Sequence, residues 1–383
     1  MKIAVVVTGG LHPSGRDQVV PSWLALFSEL AKTHEIHAFA LRHLHEPQTY
    51  TLLGFTVHDL GRPAAFGLTR WAQARALTRV LLAQGPFDLV HGLWGDPAGQ
   101  LAVRCARRLG IPSLVTMDSG EFVSIPAIDY GSQRTARGRA AIDEALTASR
   151  IHVCSDFMAA KAAARGVEPA IIPLTTVRAS GSRIPNPGSR LPAPGSRQIR
   201  LLQVASLSRV KNQRMLIDAL VIVRQSLDAR LDLVGEDTLG GELQRHAMHR
   251  GVAESVRFHG FAPQDRLAAI FADADLYVQS SLHEAAGVSV LEAAAAGLPI
   301  VGTRVGYIAD WASDRAVAID TIDAPTMAQA ILALHADPSR ARAMAARAQA
   351  WALEHHASWA ADRFAALYRE VAGPRFFRGG QLA

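Results

Sequence analysis

Two series of short apolar runs alternating with amphipathic runs make up this chain, and a stretch that can form neither separates them. In the first series residues 3–7, 36–41, 87–91, 113–116 and 151–154 read as strands. Between them residues 22–32, 68–84, 98–109 and 138–148 carry helical periodicity. Crossover helices that bury both faces of a sheet produce this alternation, so an α/β parallel sheet is expected. From 173 to 198 the chain is dense in Pro, Gly, Ser and Arg, with Gly-Ser-Arg at 181–183, 188–190 and 195–197. Such a tract cannot form a packed element and reads as a flexible linker; the other reading is an arginine-rich patch for an anionic partner. A second series opens with a strand at 200–205 and runs to about residue 320, with helical segments following from 324 to 354. Residues 358–371 then carry an amphipathic stripe of Trp359, Phe364, Leu367, Tyr368 and Val371.

At 383 residues the chain suits two domains, each able to bury its own core. Apolar residues at 49% and charged ones at 19% give a globular balance rather than a disordered one. A net charge of +6 suits an anionic small ligand or an anionic membrane surface. The basic residues are spread along the chain without interleaved aromatics, so no nucleic-acid partner is expected. Cys105 and Cys154 lack metal-ligand spacing and read as buried thiols in a reducing compartment. The apolar start at residues 3–7 stops at Thr8-Gly9-Gly10, too short for a signal peptide. No run approaches the ~20 apolar residues of a membrane span. The expected location is the cytoplasm, with room for peripheral contact at the inner face of the membrane.

The chemistry concentrates at residues 280–293, where Glu284 and Glu292 stand eight positions apart. One precedes a Gly-turn and the other lies inside the apolar helical run that follows. A strand-like run at 275–279 comes before and another at 299–303 after, which makes a βαβ unit. Ligands in such sheets sit at the carboxyl ends of strands. The helix start at Gly287, Val288 and Ser289 offers N–H groups and a positive dipole end to an anion. Carboxylates for hydroxyls beside a phosphate-favouring helix end point to a nucleotide sugar. Lys211 lies in the loop after the strand at 200–205 and is one of four lysines, at 2, 32, 161 and 211, among 40 basic residues. A chain that otherwise uses arginine places a compact point charge there, which suits a diphosphate.

These residues resemble the E-x7-E motif of retaining glycosyltransferases of family 4, which have the GT-B fold of two Rossmann-like domains facing each other across a cleft. The resemblance continues through residues 231–236, 256–260 and 301–306, covers 200–320 strongly and the N-terminal half more loosely. It implies an N-terminal acceptor-side domain at 1–175 with 358–373 crossing back, a linker at 176–198, a nucleotide-sugar-binding domain at 199–357 and a frayed tail at 374–383. It implies that Glu284 holds donor-sugar hydroxyls, Glu292 the ribose, and Lys211 the diphosphate. Base contacts are implied near Gly260-Phe261-Ala262. On the N-terminal side Gly15 is the implied phosphate-facing position, with Arg16 within reach of the diphosphate. The implied donor is a UDP-, GDP- or ADP-sugar and the implied acceptor a glycan or lipid-linked glycan. Front-face substitution without an enzymatic nucleophile is the implied route, with no metal and no cofactor.

Three positions depart from the family pattern. Ser206 stands where the family's loop G-R-L-x-x-x-K-N has its arginine, and Arg209 is the nearest replacement charge. Ala286 replaces a frequent aromatic residue, which widens the space near the sugar. Asp118 replaces the histidine of T-x-H-G, so Asp118 or Glu121 could orient the acceptor or act as a base, with turn formation the competing role. His91 matches the family's V-H and reads as a buried, hydrogen-bonded histidine. A non-catalytic nucleotide-sugar or glycan-binding protein on the same fold is the alternative. A nicotinamide dehydrogenase is excluded, because Thr8-Gly9-Gly10-Leu11-His12-Pro13 breaks the G-x-G-x-x-G pattern.

Overall fold

The computed structural model describes residues 1–61, 70–175 and 198–373. Residues 176–197 of the expected linker and the expected tail at 374–383 lie outside them. The chain divides into two compact units, one of Met1–Thr175 with the chain from Ala357, the other Thr176–His356.

The N-terminal unit runs β1 (Lys2–Val7), α1 (Pro21–Leu30), β2 (Glu35–Ala40), β3 (Gln48–Leu52), β4 (Phe55–Asp59), α2 (Arg70–Gln84), β5 (Leu89–Leu93), α3 (Gln100–Leu109), β6 (Ser113–Met117), α4 (Ala136–Ala145), β7 (Arg150–Val153), α5 (Asp156–Ala163) and β8 (Ala170–Ile171). Its sheet has the order β3-β4-β2-β1-β5-β6-β7-β8. All pairings are parallel except β3 with β4. That hairpin was not expected from the sequence. Its two-residue turn is Leu53-Gly54, with φ of 47° and 91°, and lacks the Asn-Gly or Asp-Gly that usually signals such a turn. β5 and α4 are shifted by about two residues from their expected positions, within the usual uncertainty of element ends.

The second unit runs β9 (Gln198–Val204), α6 (Gln213–Val223), β10 (Asp228–Val234), α7 (Glu242–His249), β11 (Val256–Gly260), α8 (Gln264–Asp273), β12 (Leu276–Gln279), α9 (Val288–Ala295), β13 (Ile300–Thr303), α10 (Gly306–Asp310), β14 (Val317–Ile319), α11 (Ala324–His335) and α12 (Pro338–Glu354). Its sheet is parallel throughout, in the order β11-β10-β9-β12-β13-β14. Leu201, Leu231, Val278 and Val301 from its strands pack with Leu216, Leu220 and Ile331 from α6 and α11.

The last helix, α13 (Ala357–Ala372), belongs to the N-terminal unit and packs on α1. Its buried Phe364 meets the Trp23 ring edge-on, with centroids 6.1 Å apart. Burial of one such ring stabilises by roughly 1.5–3 kcal/mol. No helix among the described residues is long and apolar enough to cross a membrane. Cys105 and Cys154 are buried and form no disulfide.

Candidate active site

In both sheets the connections run outward in opposite directions from one strand pair, β9/β12 in the second unit and β1/β5 in the first. Loops leaving such a pair part and leave a crevice at the strand ends. In the second unit Lys211 follows β9 and Glu284 follows β12, so topology alone brings them together. Lys211 Nζ donates to Glu284 Oε1 at 2.6 Å. Ser281 Oγ donates to the same oxygen at 2.7 Å. Three further bonds pin the two loops: Leu282 N to Val210 O at 2.8 Å, Ser280 Oγ to Lys211 O at 2.8 Å and Thr303 Oγ1 to Ser281 O at 2.6 Å.

The loop then turns through Gly287 (φ 95°) into α9, whose first turn has no side-chain cap. Amides there remain able to bind an anion. Ser289 on this turn accepts from Tyr277 Oη at 2.7 Å. Glu292, one turn further, accepts from Gln264 Nε2 at 2.9 Å, and burial raises its carboxyl above the usual range. Gln264 opens α8 just past Gly260 and Phe261, which are exposed, Phe261 at 62%. Two bonded pairs therefore form on this unit, Lys211–Glu284 between two expected residues and Gln264–Glu292 with only Glu292 expected. Ser206 and Arg209 are exposed, and Arg209 makes no ion pair among the described residues.

Gly306 lets the next loop approach. A Cβ there would lie 2.2 Å from Ala286 O, at a φ of 52°. Tyr307 N donates to that same carbonyl at 2.8 Å. Gly306→Ala should cost about 1–3 kcal/mol, read as a lower denaturation midpoint, because the clash is with backbone and the left-handed conformation is itself strained.

In the N-terminal unit the loops after β1, β5 and β6 border an open cavity of about 250 Å³ lined by Thr8, Trp94, Asp96, Ser119, Gly120, Glu121 and Ser132. Glu121 is buried and accepts from Gly95 N at 3.1 Å and Ser119 N at 2.7 Å, so it organises the wall. Asp118 accepts from Trp23 Nε1 at 3.2 Å through one oxygen, while the other is enclosed without a partner among the described residues. Burial, and then the neighbouring Glu121 charge, pushes the Asp118 carboxyl well up. Burial also raises Glu121. Trp94 has φ 67° and ψ 141°, an unusual backbone for a side-chain-bearing residue. Gly15 has φ 64° and closes a turn onto His12 O at 2.9 Å, and Arg16 beside it is exposed. Sequence reading missed Ser281, Gln264, Trp94 and Asp96. Only Ser281 carried a local signal, three residues before Glu284.

Residues 192–351 match the family of glycosyl transferases group 1, and residues 19–175 match the glycosyl transferase 4-like domain. The chain belongs to the group 1 glycosyltransferases. Among relatives of this glycosyltransferase, the GDP-mannose-dependent alpha-(1-6)-phosphatidylinositol monomannoside mannosyltransferase of Mycolicibacterium smegmatis is 36% identical over 165 residues, 40% of this chain and 43% of that protein. The match thus spans less than half the length of that relative. Sucrose-phosphate synthase from Thermosynechococcus elongatus superposes with a TM-score of 0.74 at 18% identity, over 96% of this chain and 98% of that one. HepE of Anabaena, solved with UDP and glucose, gives 0.71 at 16% identity, over 96% and 99%. At these identities the two structures establish the fold, which is GT-B.

Proposed function

We propose that this glycosyltransferase moves a sugar, with retention, from a UDP-, GDP- or ADP-sugar to a hydroxyl of a glycan or lipid-linked glycan acceptor in the cytoplasm. The observation that carries the reading is the Lys211–Glu284 pair beside the uncapped start of α9. Lys211 and the amides of Val288 and Ser289 meet the diphosphate charge. Glu284 takes donor-sugar hydroxyls, and Glu292 with Gln264 takes the ribose. Substitution proceeds on one face of the sugar. The acceptor oxygen bonds to the anomeric carbon as the bond to the diphosphate breaks, and the acceptor proton passes to the leaving phosphate oxygen.

GDP-mannose in the name of the mycobacterial relative and UDP in the HepE structure put those two nucleotides first in a panel. Calorimetry should find one nucleotide that binds wild type and binds Lys211→Ala about 10–100-fold more weakly, the loss of one charge-assisted contact. Turnover that persists in EDTA is also expected, since Lys211 and α9 carry the charge that a divalent ion would otherwise carry. Collapse of turnover in EDTA would overturn that part. The neutral, exposed Ser206 favours one competing reading, a nucleotide-sugar-binding protein. Binding with no turnover for any acceptor would select it.

A further inference from the structure

The cavity at the β1/β5 crevice has a lining unlike a phosphate site. Its volume of about 250 Å³ equals roughly eight waters at ~30 Å³ each, the scale of one six-membered sugar ring. Its lining residues carry hydroxyls at Thr8, Ser119 and Ser132, carboxyls at Asp96 and Glu121, and an indole at Trp94, with no lysine or arginine among the described residues. Hydroxyl and carboxylate acceptors beside an aromatic ring match a polyhydroxylated ring. A phosphate is held best by cationic donors, arginine above all, or by free backbone amides.

An arginine does stand nearby, and it is withheld. Arg70 is ion-paired with Asp96, and its Nη1 donates to Gln100 Oε1 at 2.9 Å. Gln100 in turn donates to Glu144 Oε2 at 2.8 Å, which Arg104 also holds at 2.7 Å. Arg70 is thus tied into a chain of polar partners and its charge is spent on Asp96. The wall is also built to hold its shape. Ser132 N donates to Gly120 O at 2.9 Å, Gln133 Nε2 donates to Glu121 O at 2.7 Å, and a Cβ on Gly131 would lie 2.1 Å from Val123 O. The Trp94 backbone lies in a sparsely populated region, and such strain gathers at ligand sites.

We propose that this cavity receives the acceptor's sugar ring and admits it only unphosphorylated, with Asp96 the residue that sets this preference. Asp96 holds Arg70 in an ion pair and so keeps its charge from a phosphate. The inference rests on the glycosyltransferase reading and adds the acceptor class to it.

The test is saturation-transfer NMR with methyl α-mannopyranoside, methyl α-glucopyranoside, mannose 6-phosphate and glucose 6-phosphate, alongside calorimetry of UDP and GDP on the same protein. Wild type should bind a methyl glycoside and bind its phosphorylated counterpart about tenfold more weakly or worse, as expected where carboxylates face the anion. Asp96→Asn should gain affinity for the 6-phosphate by about tenfold, because Arg70 is released. Asp96→Asn combined with Arg70→Gln should lose that gain, which separates released charge from local unfolding. Equal binding of both probe types by wild type, or no gain in Asp96→Asn, overturns the proposal. A nucleotide that binds while every methyl glycoside fails removes the cavity assignment and leaves the transferase reading standing. Glycoside binding without any nucleotide binding does the reverse.

Discussion

Glu284→Gln should lower turnover by roughly 10²–10³-fold and leave nucleotide affinity within about twofold, the pattern of a group whose value lies in the reacting complex. Lys211 and Ser281 both bond Oε1 of Glu284, at 2.6 and 2.7 Å. On the proposed reading the second oxygen accepts from substrate hydroxyls. Glutamine keeps the shape and can keep its carbonyl on Lys211 and Ser281, but it then presents an NH2 donor where an acceptor is needed. On that reading it also removes the negative charge that would face the positive charge developing on the sugar ring. On the same reading, with its ammonium on the diphosphate, Lys211→Ala has the opposite signature: affinity falls first. Steady-state kinetics with calorimetry on both variants separates the two roles. Near-normal turnover in Glu284→Gln would remove Glu284 from the chemistry.

The placement of Lys211 and Glu284 in neighbouring loops was legible in the sequence for a topological reason, while their bond to each other was not read. Both residues sit just past strands that period-based reading locates well, and in a parallel sheet adjacent strand ends put their loops side by side. Residues 284 and 292 also read correctly as loop and helix. Their partners did not. Gln264 lies 28 positions from Glu292, and nothing in its neighbourhood marks it. Asp96 sits in Trp94-Gly95-Asp96-Pro97, which the hydrophobic pattern passes over before α3 begins at Gln100. Its meaning comes from Arg70 and from the loops after β1 and β6, none of them near in sequence. The β3–β4 hairpin escaped for a local reason, since Leu53 adopts the positive φ of 47° that normally falls to glycine or asparagine. His91 was read as buried and bonded, but the chain of bonds through it was not visible.

That chain supports the second large effect: Thr116→Val should destabilise the protein by about 2–6 kcal/mol, from two buried groups left without partners at about 1–3 kcal/mol each. Its proton positions follow from one end. His152 Nε2 lies 2.9 Å from Ile172 O, and a carbonyl only accepts, so Nε2 carries the proton. Neutral His152 must then accept at Nδ1, so Thr116 Oγ1 donates to it, at 2.9 Å. Thr116 Oγ1 in turn accepts from His91 Nε2 at 2.8 Å, and His91 Nδ1 accepts from Tyr368 Oη at 2.9 Å. Every group is buried, and the last belongs to α13, so one hydroxyl in β6 holds together β5, β7 and the C-terminal helix. Valine fills the space of threonine and cuts the chain in the middle.

Burial lowers His152 to about 4 and His91 in the same direction. As pH falls from 6.5 toward 4, the unfolded chain takes up a proton at His152 that the folded chain refuses, so this residue's contribution to stability declines across that window. Asp118 and Glu121, raised by burial, act in the opposite sense, since their folded forms take protons first on acidification. His152→Gln isolates the histidine by keeping a donor and an acceptor while removing the titration. Denaturant unfolding should show the stability difference between wild type and His152→Gln moving against wild type by roughly 3 kcal/mol from pH 6.5 to 4, at 1.36 kcal/mol per unit. A difference that stays constant over that range would mean that His152 is charged in the folded protein, and the proton order drawn from Ile172 would fall with it.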